Sequence, residues 1–135
     1  MSDGHAGPEE LTPKIHPDEQ LAALVGDSYW RPLVDVFVAP DKVHLTIELP
    51  GVERSELSLW VGLKHVRVAG LKPLPGSVRS GVSFYSSEIP YGRFDLAVEL
   101  PAAAEPATAR ASLAQGVLYV TLDRARPTRR TIPIE

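Results

Sequence analysis

Apolar and polar residues alternate with period two along much of the chain after Leu33. Val34, Val36 and Val38 alternate with Asp35 and Phe37. Val43, Leu45, Ile47 and Leu49 then alternate with His44, Thr46 and Glu48. Successive side chains of a strand point to opposite faces, so the second run predicts a strand with one face in a core and one in water. The pattern returns at Leu57, Leu59 and Val61, at Val66 and Val68, and at Phe94, Leu96, Val98 and Leu100. Turn formers separate the runs: Ala39-Pro40-Asp41-Lys42, Pro50-Gly51, Gly62-Leu63-Lys64 and Pro101. The best-defined unit spans residues 109–122. Ala109, Ala111 and Leu113 alternate with Arg110 and Ser112, and Gln115-Gly116 supplies a two-residue turn. Residues 117–122 are apolar or β-branched throughout, which predicts a second strand buried on both faces.

Other stretches are less regular. Residues 70–81 contain Lys72-Pro73-Leu74-Pro75-Gly76 and no periodicity, so they read as a long loop. Residues 82–89 predict a further short strand, ended by Pro90, and residues 102–107 an Ala/Pro connection. The sum is about eight short strands at the spacing of an all-β, antiparallel, immunoglobulin-like β-sandwich. Residues 1–30 read as an N-terminal arm, 31–125 as the domain and 126–135 as a C-terminal extension. Within the arm, residues 18–25 predict one short helix, with Leu21, Leu24 and Val25 on one face and Gly26 as its stop.

Composition narrows the function more than the fold. The 135 residues suit one domain with tails. A net charge of −3 with scattered Lys and Arg lacks the basic face of a nucleic-acid binder. The absence of Cys excludes disulfides and thiolate zinc sites. No apolar run approaches the roughly 20 residues of a membrane span, and the first residues do not form a signal peptide, so a cytoplasmic location is expected. His5, His16, His44 and His65 show no ligand spacing. There is no Gly-x-Ser-x-Gly elbow and no glycine-rich phosphate loop. Asp35, Glu48 and Glu88 suit solvated strand faces better than a catalytic pair. Neither an enzyme, a metal nor a cofactor is expected.

One short stretch stands out near the end. Ile132 and Ile134 lie two apart, so in an extended chain both point the same way. Pro133 between them pre-sets an extended φ and removes one N–H donor. A basic, Pro-containing linker precedes them. Such a segment suits docking by strand addition, with the two isoleucines in pockets. A last strand of the same domain or a free tip are the other readings.

These residues resemble the small heat shock proteins, the α-crystallin-domain family, of the bacterial and plant type. The resemblance runs from about Trp30 to Glu135. Trp30-Arg31-Pro32-Leu33-Val34-Asp35-Val36 is similar to the start of the family's domain. Ile47-Glu48-Leu49-Pro50-Gly51-Val52 resembles its Leu-Pro-Gly-Val element. Tyr91-Gly92-Arg93-Phe94 with Glu99-Leu100-Pro101 resembles its Gly-x-Phe … Leu-Pro element. Residues 111–118 fit Ala-x-x-x-Asn-Gly-Val-Leu with Gln115 for Asn, and Ile132-Pro133-Ile134 fits the C-terminal Ile-x-Ile/Val motif.

The resemblance implies an ATP-independent holdase that binds unfolding client proteins and assembles with itself, as a homodimer and then a larger homo-oligomer. It implies strand exchange between residues 83–89 of one chain and 34–37 of another, through Val34, Val36, Phe37, Phe84, Tyr85 and Ile89. It implies docking of Ile132, Pro133 and Ile134 into a groove lined by Leu57, Leu59, Val61, Ala109, Ala111 and Leu113. Two positions depart from the family. Leu96 stands where Arg is frequent, and Glu99 where a basic residue usually precedes Leu-Pro. The arm is also short and poor in Phe. A related co-chaperone-like sandwich that binds one folded partner is therefore the alternative.

Overall fold

Alternation turns into architecture because each apolar face must be covered by another. The computed structural model describes residues 29–126 and 131–135; the helix expected at 18–25 lies outside them. The elements are β1 (Val34–Val38), β2 (Lys42–Glu48), a 3-10 turn (Arg54–Glu56), β3 (Leu57–Val61), β4 (His65–Lys72), β5 (Gly92–Glu99), β6 (Ala104–Ala114) and β7 (Val117–Arg124). They form a four-stranded sheet, β1-β2-β7-β6, and a three-stranded sheet, β3-β4-β5, with every strand pair antiparallel. The fold is the expected all-β sandwich.

The inward residues of the cleanest runs meet in one core. Val43, Leu45 and Ile47 of β2, Phe94, Leu96 and Val98 of β5, and Leu118, Val120 and Leu122 of β7 are all buried in it. Each such side chain contributes about 1.5–3 kcal/mol by leaving water. Phe94 is the largest wholly buried one. Its ring lies against Gly70 of β4, its cross-strand partner. A Cβ at Gly70 would fall 2.3 Å from the Glu56 carbonyl oxygen and 2.7 Å from Phe94 Cζ. Only glycine lets the strand pass there.

Four local expectations change. Gly70, Leu71 and Lys72 are strand, not loop, because they pair with Phe94, Arg93 and Gly92; Gly70 is a packing glycine rather than a terminator. Residues 82–89 form no strand and lie exposed, since no strand of this chain pairs with them. The described residues therefore hold seven strands.

The Ala/Pro connection is shorter than expected, because β6 already begins at Ala104. Its register shifts between Glu105 and Arg110, which accommodates Pro106 within the strand. There the Thr108 hydroxyl donates to the Glu105 carbonyl (2.7 Å) and accepts from the Asp123 N–H (2.9 Å), replacing ladder bonds. Finally, β7 is buried on one face only: Val117 and Thr121 are half-buried and Tyr119 is exposed.

The β6–β7 hairpin turns as expected at Gln115-Gly116. Both residues are left-handed, with φ of 52° and 78°, as a two-residue turn of this hand requires. The Leu49 N–H donates to the Gly116 carbonyl at 2.7 Å and ties the turn to the end of β2.

Candidate assembly site

The residues that matter lie at the margins of the two sheets. β1 is one edge of the four-stranded sheet. The Glu48 N–H donates to the Leu33 carbonyl (3.0 Å), and the Ala39 N–H to the Lys42 carbonyl (2.9 Å). In an antiparallel ladder, alternate residues exchange bonds with the neighbour. Leu33, Asp35, Phe37 and Ala39 thus bond to β2, and Val34, Val36 and Val38 turn their N–H and C=O groups to the open edge. Val34 and Val36 also pack their side chains against the core. Phe37 lies on the outer face, half exposed and stacked on His44 with ring centroids 4.9 Å apart.

The segment expected to cover such an edge is exposed in its own chain. Val82, Phe84 and Ile89 are exposed and Tyr85 is fully so; Phe84 stacks loosely on Tyr91 at 6.3 Å.

The expected groove residues fall on the other two edges of interest, β3 and β6, one in each sheet. The bond from the Ala104 N–H to the Leu63 carbonyl ties the start of β6 to the β3–β4 turn. The Gly62 N–H donates to the His65 carbonyl (2.8 Å), so the same alternation leaves the backbone groups of Leu59 and Val61 unpaired at the edge, whereas the Leu57 N–H donates to the Arg54 carbonyl of the 3-10 turn. Counting from the Ala114–Val117 pair that closes the hairpin, Ala111 and Leu113 do likewise on β6. Their side chains point into the sandwich. Leu57, Leu59, Ala109 and Ala111 are buried, and Val61 and Leu113 are half-buried against the core. The seam is therefore closed in the lone chain, with only its Val61 and Leu113 positions open to a newcomer. Residues 131–135 lie exposed, Ile134 almost completely.

Charge is spread over the outer faces. Arg67 donates through Nε and Nη2 to both carboxylate oxygens of Asp95 (2.8 and 2.6 Å), and its guanidinium lies 4.8 Å from the Trp60 ring centroid. The Arg67 hydrogen bonds hold the Asp95 carboxyl below the usual carboxylate range, against a smaller opposing effect of burial. The bond to Asp123 raises Lys42. Lys72 is different. It is only 8% exposed, and burial lowers its pKa. Among the described residues its ammonium has two aromatic faces for company, Trp30 at 5.9 Å and Tyr91 at 5.6 Å. The inward alternation Val66, Val68, Gly70, Lys72 could have revealed it, had Gly70 not read as a stop.

Of the two departures, Leu96 is buried in the core, whereas Glu99 is exposed. Trp30 is tied to β5: its backbone N–H donates to the Arg93 carbonyl and its indole N–H to the Gly92 carbonyl. Among the described residues no group of three His, Asp or Glu could hold a metal ion, and no helix is long and apolar enough to cross a membrane.

Known proteins share both the sequence pattern and this architecture. The Hsp20/alpha crystallin family model matches residues 35–135. A small heat-shock protein from Xylella fastidiosa superposes with a TM-score of 0.63 at 27% identity, over 80% of this chain and 99% of that one. HSP18.5 from E. histolytica gives 0.62 at 28% identity, over 78% and 99%. Heat shock protein 16.0 from Schizosaccharomyces pombe gives 0.64 at 24% identity, over 78% and 99%, and supports the fold alone. With a family match over three of its four edge and groove strands in full, and over all but the first residue of β1, the chain belongs to the Hsp20/alpha crystallin family of small heat shock proteins.

Proposed function

We propose that this chaperone works as an ATP-independent holdase built from strand-exchanged dimers. The observation that carries the reading is a complementary pair of features. β1 presents the free backbone groups of Val34, Val36 and Val38, and residues 82–89 present exposed Phe84, Tyr85 and Ile89 with no strand partner in their own chain. An unpaired edge and an unpaired β-prone segment satisfy each other when two chains exchange them.

The tail adds the next level of assembly. Ile132 and Ile134 of one dimer enter the β3–β6 seam of another, with Pro133 keeping the segment extended. The backbone of Leu59, Val61, Ala111 and Leu113 supplies the ladder. Because the seam is closed in the lone chain, docking requires the two edges to part slightly around Val61 and Leu113. The same apolar margins hold exposed apolar segments of unfolding chains and keep those segments from one another. Holding needs no nucleotide, since binding alone slows aggregation.

The test is thermal aggregation of a heat-labile protein followed by light scattering, at equal mass and without ATP. Suppressed scattering is expected; scattering unchanged by the protein overturns the holdase reading.

A further inference from the structure

A cavity of about 560 Å³ opens where the β6–β7 turn, the end of β2 and the residues before β1 come together. That size lies within the roughly 300–1,000 Å³ of small-molecule pockets. Its walls are largely apolar, with Trp30, Leu33, Pro50, Ile89 and Val117 among them. Ile89 and Pro90 wall it in the lone chain; with residues 83–89 exchanged as proposed above, Trp30, Leu33, Pro50, Lys72 and Val117 still line it.

Lys72 lines this cavity. Most of the Lys72 side chain is buried, and a cation set among apolar groups without a carboxylate partner gains from any group that compensates its charge. The faces of Trp30 and Tyr91 compensate it in part. They leave an ammonium that a single anionic group would satisfy.

We propose that the cavity is a binding site for a small amphipathic monocarboxylate, with the carboxylate on Lys72 and the aliphatic body against Leu33, Pro50 and Val117. The polar groups favour a monoanion over a phosphate. The cations of Lys72 and Arg31 on the wall are balanced by the carboxylates of Glu48 and Glu88, which oppose a dianion. Neither of those two carboxylates pairs with Lys72, whose pKa is lowered by burial. The ammonium is thus available to an incoming group.

The experiment is calorimetric titration of the full chain with octanoate, and with octan-1-ol and acetate as probes lacking the charge or the body. Saturable octanoate binding is expected, with either partial probe weaker by roughly tenfold or more. Lys72→Met should lose a similar factor for octanoate and little for octan-1-ol. Leu33→Glu, at an exposed wall position, should weaken octanoate by placing a negative charge beside it, and it carries the test if Lys72→Met does not fold. Octanoate uptake that does not saturate, or that neither variant changes, overturns the proposal.

Discussion

The core strands and the margins of this molecule use the same residue types to opposite ends. β5 and β7 each have a neighbour for their apolar face, and Phe94, Leu96, Val120 and Leu122 are buried within one chain. β1 and residues 82–89 carry Val, Phe, Tyr and Ile as well, yet Phe37, Phe84, Tyr85 and Ile89 stay exposed. Side-chain hydrophobicity does not separate the two regions. The number of partners the chain itself supplies does. Unpaired apolar margins are therefore a store of unused pairing, which assembly can satisfy.

Substitutions should affect folding in one region and assembly in the other. The largest effect belongs to Phe94→Ala, which should cost about 3–5 kcal/mol and shift the urea midpoint strongly downward or abolish folding. Tyr85→Ala, at a fully exposed position, should leave the urea midpoint of the isolated chain in place while weakening the dimer. Next comes Gly70→Ala, whose added methyl must displace Phe94 or the Glu56 backbone. A loss of about 1–3 kcal/mol is expected for such overpacking, measured by the same denaturation.

Replacing Ile132 and Ile134 together by Ala should leave thermal stability of the sandwich unchanged and reduce the assembly mass by light scattering. The smallest effect concerns the exposed Arg67–Asp95 pair. Asp95 has a depressed folded-state pKa, so its contribution is present above the ordinary carboxylate range. It is lost as pH falls through the depressed value. Asp95→Asn should lower the melting temperature slightly at neutral pH, with the difference vanishing in strong acid; a difference that persists there would assign the effect to something other than charge.

The sequence spelled out the core and misread some of its borders, for physical reasons. Period-two alternation located β2, β3, β5 and the β6–β7 hairpin, because one-sided burial imposes it directly. Gly70 was opaque, because a glycine that ends a strand and one that lets a ring pass beside it look alike in sequence. Pro106 concealed the start of β6, since the bulge and the Thr108 hydroxyl that accommodate it arise only when β7 is alongside.

The strand expected at 82–89 has β-prone residues but no partner within the chain, and a ladder needs two members. The groove residues were named through family resemblance. The structure adds which backbone groups of those strands remain free and that the seam is already closed. Lys72 and its cavity were beyond reach, because the residues involved come from five separate stretches of sequence.

The central claim is that the free edge of β1 is where two chains join. Val36→Pro tests it most directly. Its N–H points away from β2, so proline removes a donor that the lone chain does not use. Phe37→Pro, one residue on, removes a donor within the β1–β2 ladder and serves as the contrast. Native mass spectrometry of the wild type should give dimers or their multiples. Val36→Pro should give monomer with the β-sheet circular dichroism of the wild type. A Val36→Pro protein that keeps the wild-type mass would contradict the account.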